Sequence, residues 1–259
     1  MKSDFHIHTK RCKHAEGEMR DYIEKAMELQ MSEIAFTDHI PLPDNFDLAH
    51  RMSYKELENY MNEIIKVRSQ YPDIKIYSGI EADYYEGFEE YLDQTFRRFD
   101  FDVIIMSVHF IKSWPKNNWV FSYYFPDKPM QKIYSEYLQA MNKGIDTGLF
   151  DIVGHLDLIK DENVSILESN RSEVHGVLKN IQKHAMTIEI NTSGLRKDIA
   201  ETYPNLNLLP LIENYKISVI FGSDAHRPEQ VGFQFDTVEK FFSQYPDIKF
   251  ITPTERSPI

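Results

Sequence analysis

The chain has one cysteine in 259 residues, Cys12, so no intramolecular disulfide can form and a reducing cytoplasm is the expected compartment. No stretch approaches the roughly 18 apolar residues of a membrane-spanning helix. Met1-Lys2-Ser3-Asp4 runs straight into the first apolar segment, which leaves no room for a secretory leader. Basic residues are in the minority. With 29 Lys and Arg against 41 Asp and Glu, the formal net charge is −12, the wrong sign for an extended nucleic-acid footprint. There is also no Gly/Ser- or Pro-rich linker, no low-complexity tract and no repeat of fixed period. Strand and helix signals alternate from end to end, so residues 1–259 read as one domain.

What is present is a regular placing of histidine. Seven short runs rich in Ile, Val and Phe follow one another: Phe5 to His8, Glu33 to His39, Ile74 to Glu81, Asp102 to His109, Asp151 to His155, Thr187 to Ser193 and Ser218 to His226. Six of them close on His, Asp or Glu. Packing gives no reason to repeat imidazoles and carboxylates at one end of successive strands. A parallel barrel does, because the C-terminal ends of its strands converge on one face. Helical periodicity fills the intervals. Met19, Tyr22, Ile23 and Ala26 form one stripe, and Ser53 with Glu56 reads as a capping box before Leu57, Met61 and Ile64. Pro129 suits the start of a helix carrying Ile133, Tyr137 and Met141. Asn170 with Glu173 is expected to open another, Leu206–Tyr215 a shorter one, and Asp236 with Glu239 the last. The count is about seven β/α units, one short of a standard barrel.

His6-x-His8 lies on a strand, and residues two apart share a face, so both imidazoles can reach one ion. His14 follows in the next loop, and Thr37-Asp38-His39 ends the second run. Asp38 is expected to order the loop. Cys12 is disfavoured as a ligand, since an oxygen- and imidazole-rich site has little use for one thiolate. Glu81 emerges from a run buried on both faces, where a carboxylate needs a partner such as a metal. A bidentate Glu is also a natural bridge between two ions, and Gly79 before it permits close backbone approach. Asp83 reads as a loop residue. His109 and His155 close the fourth and fifth runs, and Asp224-Ala225-His226 places an acid and an imidazole two apart at the end of the seventh. His50, His175 and His184 fall outside the pattern.

Taken together, H-x-H, T-D-H, G-x-E, S-x-H, G-H and D-x-H in this order resemble the PHP superfamily (polymerase and histidinol phosphatase) across essentially the whole chain. Glu189 to Lys197 and Arg51-Met52 further resemble its histidinol-phosphatase branch. The resemblance implies a distorted (β/α)7 TIM-like barrel holding three divalent ions, Zn, Fe or Mn. One ion would take His6, His8, Glu81 and Asp224, the second Glu81, His109 and His155, and the third His14, His39 and His226. No ligand position is substituted. Three such ions carry far more charge than Glu81 and Asp224 return, so the cavity must hold anions. A hydroxide on the metals and a phosphomonoester dianion would balance it.

The implied activity is hydrolysis of L-histidinol phosphate to L-histidinol and phosphate, with no side-chain nucleophile. Arg196 would give the phosphate a planar contact, with Arg51 and Lys160 as weaker candidates. The aromatic segment 114–125 is read either as a satellite core or as a wall for the leaving group. Other PHP-type phosphoesterase substrates (a nucleotide, an oligonucleotide end, a phosphotyrosine) are the nearest alternative. A C–N hydrolase would need a bridging lysine that cannot be placed, and a non-catalytic metal module would be expected to have lost a ligand.

Overall fold

The computed structural model describes residues 3–115, 118–122 and 128–252. Its seven strands are β1 (Ser3–Ile7), β2 (Glu33–Phe36), β3 (Lys75–Asp83), β4 (Val103–Ser107), β5 (Ile152–Val153), β6 (Thr187–Asn191) and β7 (Val219–Gly222). They pair in parallel and in chain order. The sheet closes where His8 N donates to Ala225 O at 2.9 Å. Asp4 pins the same seam: its Oδ1 accepts from Ser223 N at 2.9 Å and its Oδ2 from Gly232 N at 2.9 Å. The result is the seven-stranded α/β barrel expected, and no helix among the described residues is long and apolar enough to cross a membrane.

Alternation along the strands separates two apolar layers. Phe5, Ala35, Tyr77, Val103, Ile105, Ile152 and Ile220 fill the barrel interior, while Ile34, Ile104, Val153, Ile188 and Val219 belong to the layer beneath the helices. Each fully enclosed aliphatic side chain contributes about 1.5–3 kcal/mol. In β1 the register shifts between Asp4 and Ile7. An extra residue there flips the alternation. Phe5 joins the interior whereas Ile7, at the same parity, packs outward, and His6 and His8 turn toward the mouth of the barrel.

The helices are α1 (Met19–Glu28), α2 (Leu57–Gln70), α3 (Glu89–Arg98), α4 (Met130–Asp146), α5 (Ile166–Ser169), α6 (Arg171–Lys183), α7 (Leu209–Asn214) and α8 (Phe235–Glu239). The Ser53 box forms, with Ser53 N donating to Glu56 Oε2 at 2.8 Å ahead of α2. Two expected starts differ. Asn170 precedes α6 without a side-chain cap, because its amide donates to Gln131 O at 3.0 Å and ties α6 to α4. The last helix begins at Phe235, before Asp236, from a left-handed Gln234. Helix α3 is absent from the sequence reading. Half of its ten residues are charged, and it buries only Leu92, Thr95 and Phe96.

Candidate metal centre

The nine residues singled out from strand ends and their loops meet at the C-terminal mouth of the barrel. His14, His39, Glu81, His109, His155, Asp224 and His226 line a cleft of about 370 Å³, and His6 and His8 are fully buried beside them. Glu81 is central. Its Oε1 lies 2.9 Å from His155 Nε2 and 3.7 Å from His109 Nε2. Its Oε2 lies 2.7 Å from His39 Nδ1, 3.4 Å from His8 Nε2 and 3.5 Å from His6 Nε2. Asp224 Oδ1 is 3.2 Å from His8 Nε2 and 3.9 Å from His6 Nε2. Gly79 lets β3 approach this closely, since a Cβ there would sit 2.7 Å from Thr37 Cγ2 and 2.9 Å from Phe36 O.

The imidazoles are oriented from behind. His14 Nδ1 donates to Cys12 O at 2.7 Å and His226 Nδ1 to Asp224 O at 3.0 Å. A carbonyl only accepts, so both rings carry the proton on Nδ1 and present Nε2 lone pairs to each other at 2.9 Å. Two lone pairs at that distance repel unless a cation lies between them. The same demand appears at the centre, where His39 Nδ1 and Glu81 Oε2 are buried without a hydrogen-bond partner. His39 Nδ1 and Glu81 Oε2 are thus close without being aligned. Donor atoms of His6, His8 and Glu81, of Glu81, His109 and His155, and of His14, His39 and His226 each fall within 4.8 Å of one another. This donor set fits several divalent metal ions.

Charge states agree with that fit. Against the cost of burial, His39, His6 and His109 hold Glu81 well below the usual carboxylate range, and His6 and His8 do the same for Asp224. Burial pushes His8, His14 and His39 down and His226 to about 4, toward the neutral form that metal ligation requires. His6 and His109 go up. Burial opposes the charge on each, but Glu189 lies against His6 and Asp83 against His109. Both carboxylates face Nδ1 and leave Nε2 directed inward.

Two residues of the cluster hold backbones that L side chains disfavour: Asp224 at φ 53° and His155 at φ 23°. His155 is held by its N–H donating to Glu189 Oε2 at 2.9 Å, and Asp224 by Arg196 Nη2 donating to its carbonyl at 2.9 Å. Glu189 was not among the expected site residues, although a carboxylate inside the buried run Thr187–Asn191 is the signal that singled out Glu81. Asp83, expected in a loop, is instead the buried last residue of β3. Asp38 orders the loop after β1 as expected, accepting from Thr9 N at 2.9 Å. Burial raises the Cys12 thiol to about 12, although its sulfur lies near His8 and His226.

The three expected phosphate cations separate. Arg196 lines the cleft, bracing Ser223 O at 2.8 Å while its guanidinium lies 5.5 Å from the Phe233 ring centre. Arg51 does not reach the cleft: it is buried and spent on Asp47, Asp83 and Ile40 O. Lys160 lies in a neighbouring hollow, paired with Asp157 at 2.9 Å and Glu201 at 3.0 Å. Lys197 and Ser193, unforeseen, join the cleft. The aromatic segment divides. Trp114 is core, donating to Glu136 at 2.6 Å, and Trp119 packs on Phe110, whereas the exposed Phe121 forms cleft wall 6.2 Å from the His109 ring. Tyr123, Tyr124 and Phe125 lie outside the described residues. His50 stands at the rim, its ring 5.5 Å from that of His14, while His175 and His184 pack elsewhere against Tyr215 and Asp146.

A parallel barrel with this donor set at its C-terminal mouth defines a metal-binding α/β barrel of the hydrolase type. The model of the PHP domain matches residues 4–193, and the chain belongs to the PHP domain family. It is 33% identical over 235 residues to a probable histidinol-phosphatase of Deinococcus radiodurans, covering 90% of this chain and 89% of that one. The histidinol-phosphatase of Bacillus subtilis is 32% identical over 266 residues, covering 91% and 97%. Among solved structures, the histidinol phosphate phosphatase of Lactococcus lactis subsp. lactis, complexed with zinc, L-histidinol and phosphate, superposes with a TM-score of 0.80. It is 21% identical and covers 98% of this chain and 97% of its own, a likeness of fold.

Proposed function

We propose that the protein is a cytoplasmic, metal-dependent phosphomonoesterase of histidine biosynthesis that hydrolyses L-histidinol phosphate to L-histidinol and phosphate. The observation that carries this reading is Glu81, whose two oxygens face different histidine sets in a cleft that Arg196 also lines. The names of the relatives and the ligands of the Lactococcus structure support the substrate.

His6, His8, Glu81 and Asp224 would hold one ion, Glu81, His109 and His155 a second, and His14, His39 and His226 a third. Zinc, iron or manganese ions held there supply Lewis acidity, bringing the pKa of bound water near neutrality and offsetting phosphoryl charge. Arg196 keeps N–H groups beyond those given to Ser223 O and Asp224 O, and these would orient the phosphoryl group. Lys197 adds a second positive charge at the mouth, over the rings of Phe121 and Tyr203. Phe121 offers a flat apolar surface to an imidazole leaving group. Among the described residues no hydroxyl or thiol at the cleft is set up as a nucleophile: Ser107 Oγ donates to Glu81 at 2.6 Å, with His155 Nε2 farther off at 3.4 Å, and Ser193 Oγ is buried without a hydrogen-bond partner.

Steady-state kinetics over a phosphomonoester panel test the reading. The expected outcome is the highest kcat/KM for L-histidinol phosphate. Higher kcat/KM for a nucleotide, an oligonucleotide end or a phosphotyrosine peptide would overturn the substrate.

A further inference from the structure

Arg51 is the largest fully buried side chain among the described residues, and its guanidinium reaches behind three ligand-bearing strand ends. Nη1 donates to Asp83 Oδ2 at 2.9 Å and to Ile40 O at 2.8 Å, and Nε and Nη2 both lie 3.2 Å from Asp47 Oδ2. Asp83 Oδ1 in turn accepts from His109 twice, from the backbone N at 3.1 Å and from Nδ1 at 2.9 Å. That fixes both the backbone and the tautomer of His109 and leaves its Nε2 facing Glu81 at 3.7 Å. Ile40 follows His39, and its N–H donates to Glu81 O at 2.8 Å. The face of Phe110 closes over the guanidinium at 5.5 Å.

We infer that Arg51 and Asp83 are positioning residues. They form a buried charged clamp that sets His109, and through Ile40 the β2 and β3 ends, for the ion shared by Glu81, His109 and His155. Donor atoms of Asp83, His39 and His109 lie within 4.8 Å of one another, but one Asp83 oxygen is spent on His109 and the other on Arg51, so Asp83 acts through those partners. The inference rests on the metal reading under Proposed function. Carboxylates behind a ligating imidazole tune its affinity for the ion about 10–100-fold, and a lysine at position 51 would bring the charge without the fork that spans Asp83, Ile40 and Asp47.

The test is zinc transfer from the full-length, zinc-loaded protein to a chromophoric chelator, resolved into kinetic phases. In Asp83→Asn, one phase should accelerate about 10–100-fold while the others keep their wild-type rates. Because that variant leaves Arg51 Nη1 without its carboxylate, Arg51→Gln/Asp83→Asn is the second variant; it removes both charges of that pair, and its folding is checked by thermal melting. The same selective acceleration is expected in it, with a smaller one in Arg51→Lys. Wild-type release from a folded double variant, or uniform acceleration of every phase, overturns the clamp. Wild-type protein that takes up no zinc overturns the metal reading and the clamp together, whereas zinc-loaded wild type with unchanged variants overturns the clamp alone.

Discussion

Glu189 Oε1 lies 2.6 Å from His6 Nδ1, and neither side chain has any exposed surface. The second oxygen of Glu189 holds the backbone of His155, so one carboxylate in β6 fixes two members of the cluster. It occupies the interior position of its strand, where the neighbouring β5 and β7 place Ile152 and Ile220. Gly222 makes room for it: a Cβ at that position would fall 1.9 Å from Glu189 Oε1. Glu189→Gln should therefore lower metal affinity about 10–100-fold with the fold retained. Gly222→Ala should reproduce the loss by displacing the carboxylate. Elemental analysis after dialysis at fixed free zinc decides it, and wild-type metal content in Glu189→Gln would reduce the residue to a brace for His155.

Glu81→Gln should be more damaging than a change to any one outer histidine. Its oxygens approach five imidazoles, whereas His14 touches one edge of the cluster. The expected kcat/KM falls below that of His14→Gln by roughly tenfold or more, about 1.4 kcal/mol. Equal kinetics in the two variants would remove the bridging role.

Arg196→Ala should weaken inhibition by inorganic phosphate and lower kcat/KM by roughly 10- to 150-fold, the loss of a charge-assisted contact of about 1.5–3 kcal/mol. Arg196→Lys should recover part of this, since it keeps the charge and lacks the fork. An unchanged phosphate inhibition constant would leave Arg196 with only its bracing of Ser223 and Asp224.

Cys12 is enclosed, and burial lifts its thiol to about 12, so at pH 8 almost none is thiolate. The native protein should resist an alkylating reagent at that pH and react once unfolded in denaturant. Rapid native labelling, followed by mass spectrometry, would show an available thiolate and reopen the question of a sulfur ligand.

Glu56 gives a pH dependence of known sign. Burial acts against its charge, but the Lys13 ammonium and the Ser53 N–H outweigh it and bring the carboxyl from 4.5 to about 2. A depressed folded pKa stabilises the protein above the unfolded value and is lost as pH falls through the folded one. The melting temperature of wild type should exceed that of Glu56→Gln by a constant margin above pH 5, narrowing below 4.5. A margin that stays undiminished down to pH 2 would assign the effect to the shape of the cap.

The strand ends were legible because a parallel barrel brings them to one face whatever the loops do, so position in the run alone placed His109 or His155. Residues that act through a distant partner were not. In a strand buried on both sides, Glu189 looks the same whether it faces helices or cavity, and only the contact with His6, 183 positions away, tells them apart. Arg51, read as a weaker phosphate candidate, and Asp83, read as a loop residue, likewise stood apart until the fold paired them across 32 positions. Lys160 misled for the complementary reason. It lies five residues beyond His155, but the chain turns there and carries the ammonium to Asp157 and Glu201.

The most direct measurement is phosphate release from L-histidinol phosphate by chelator-stripped protein, before and after zinc or manganese is restored. The account predicts that release is abolished by stripping and returns with the metal. Undiminished hydrolysis by metal-free protein, or none from the metal-loaded enzyme, would contradict it.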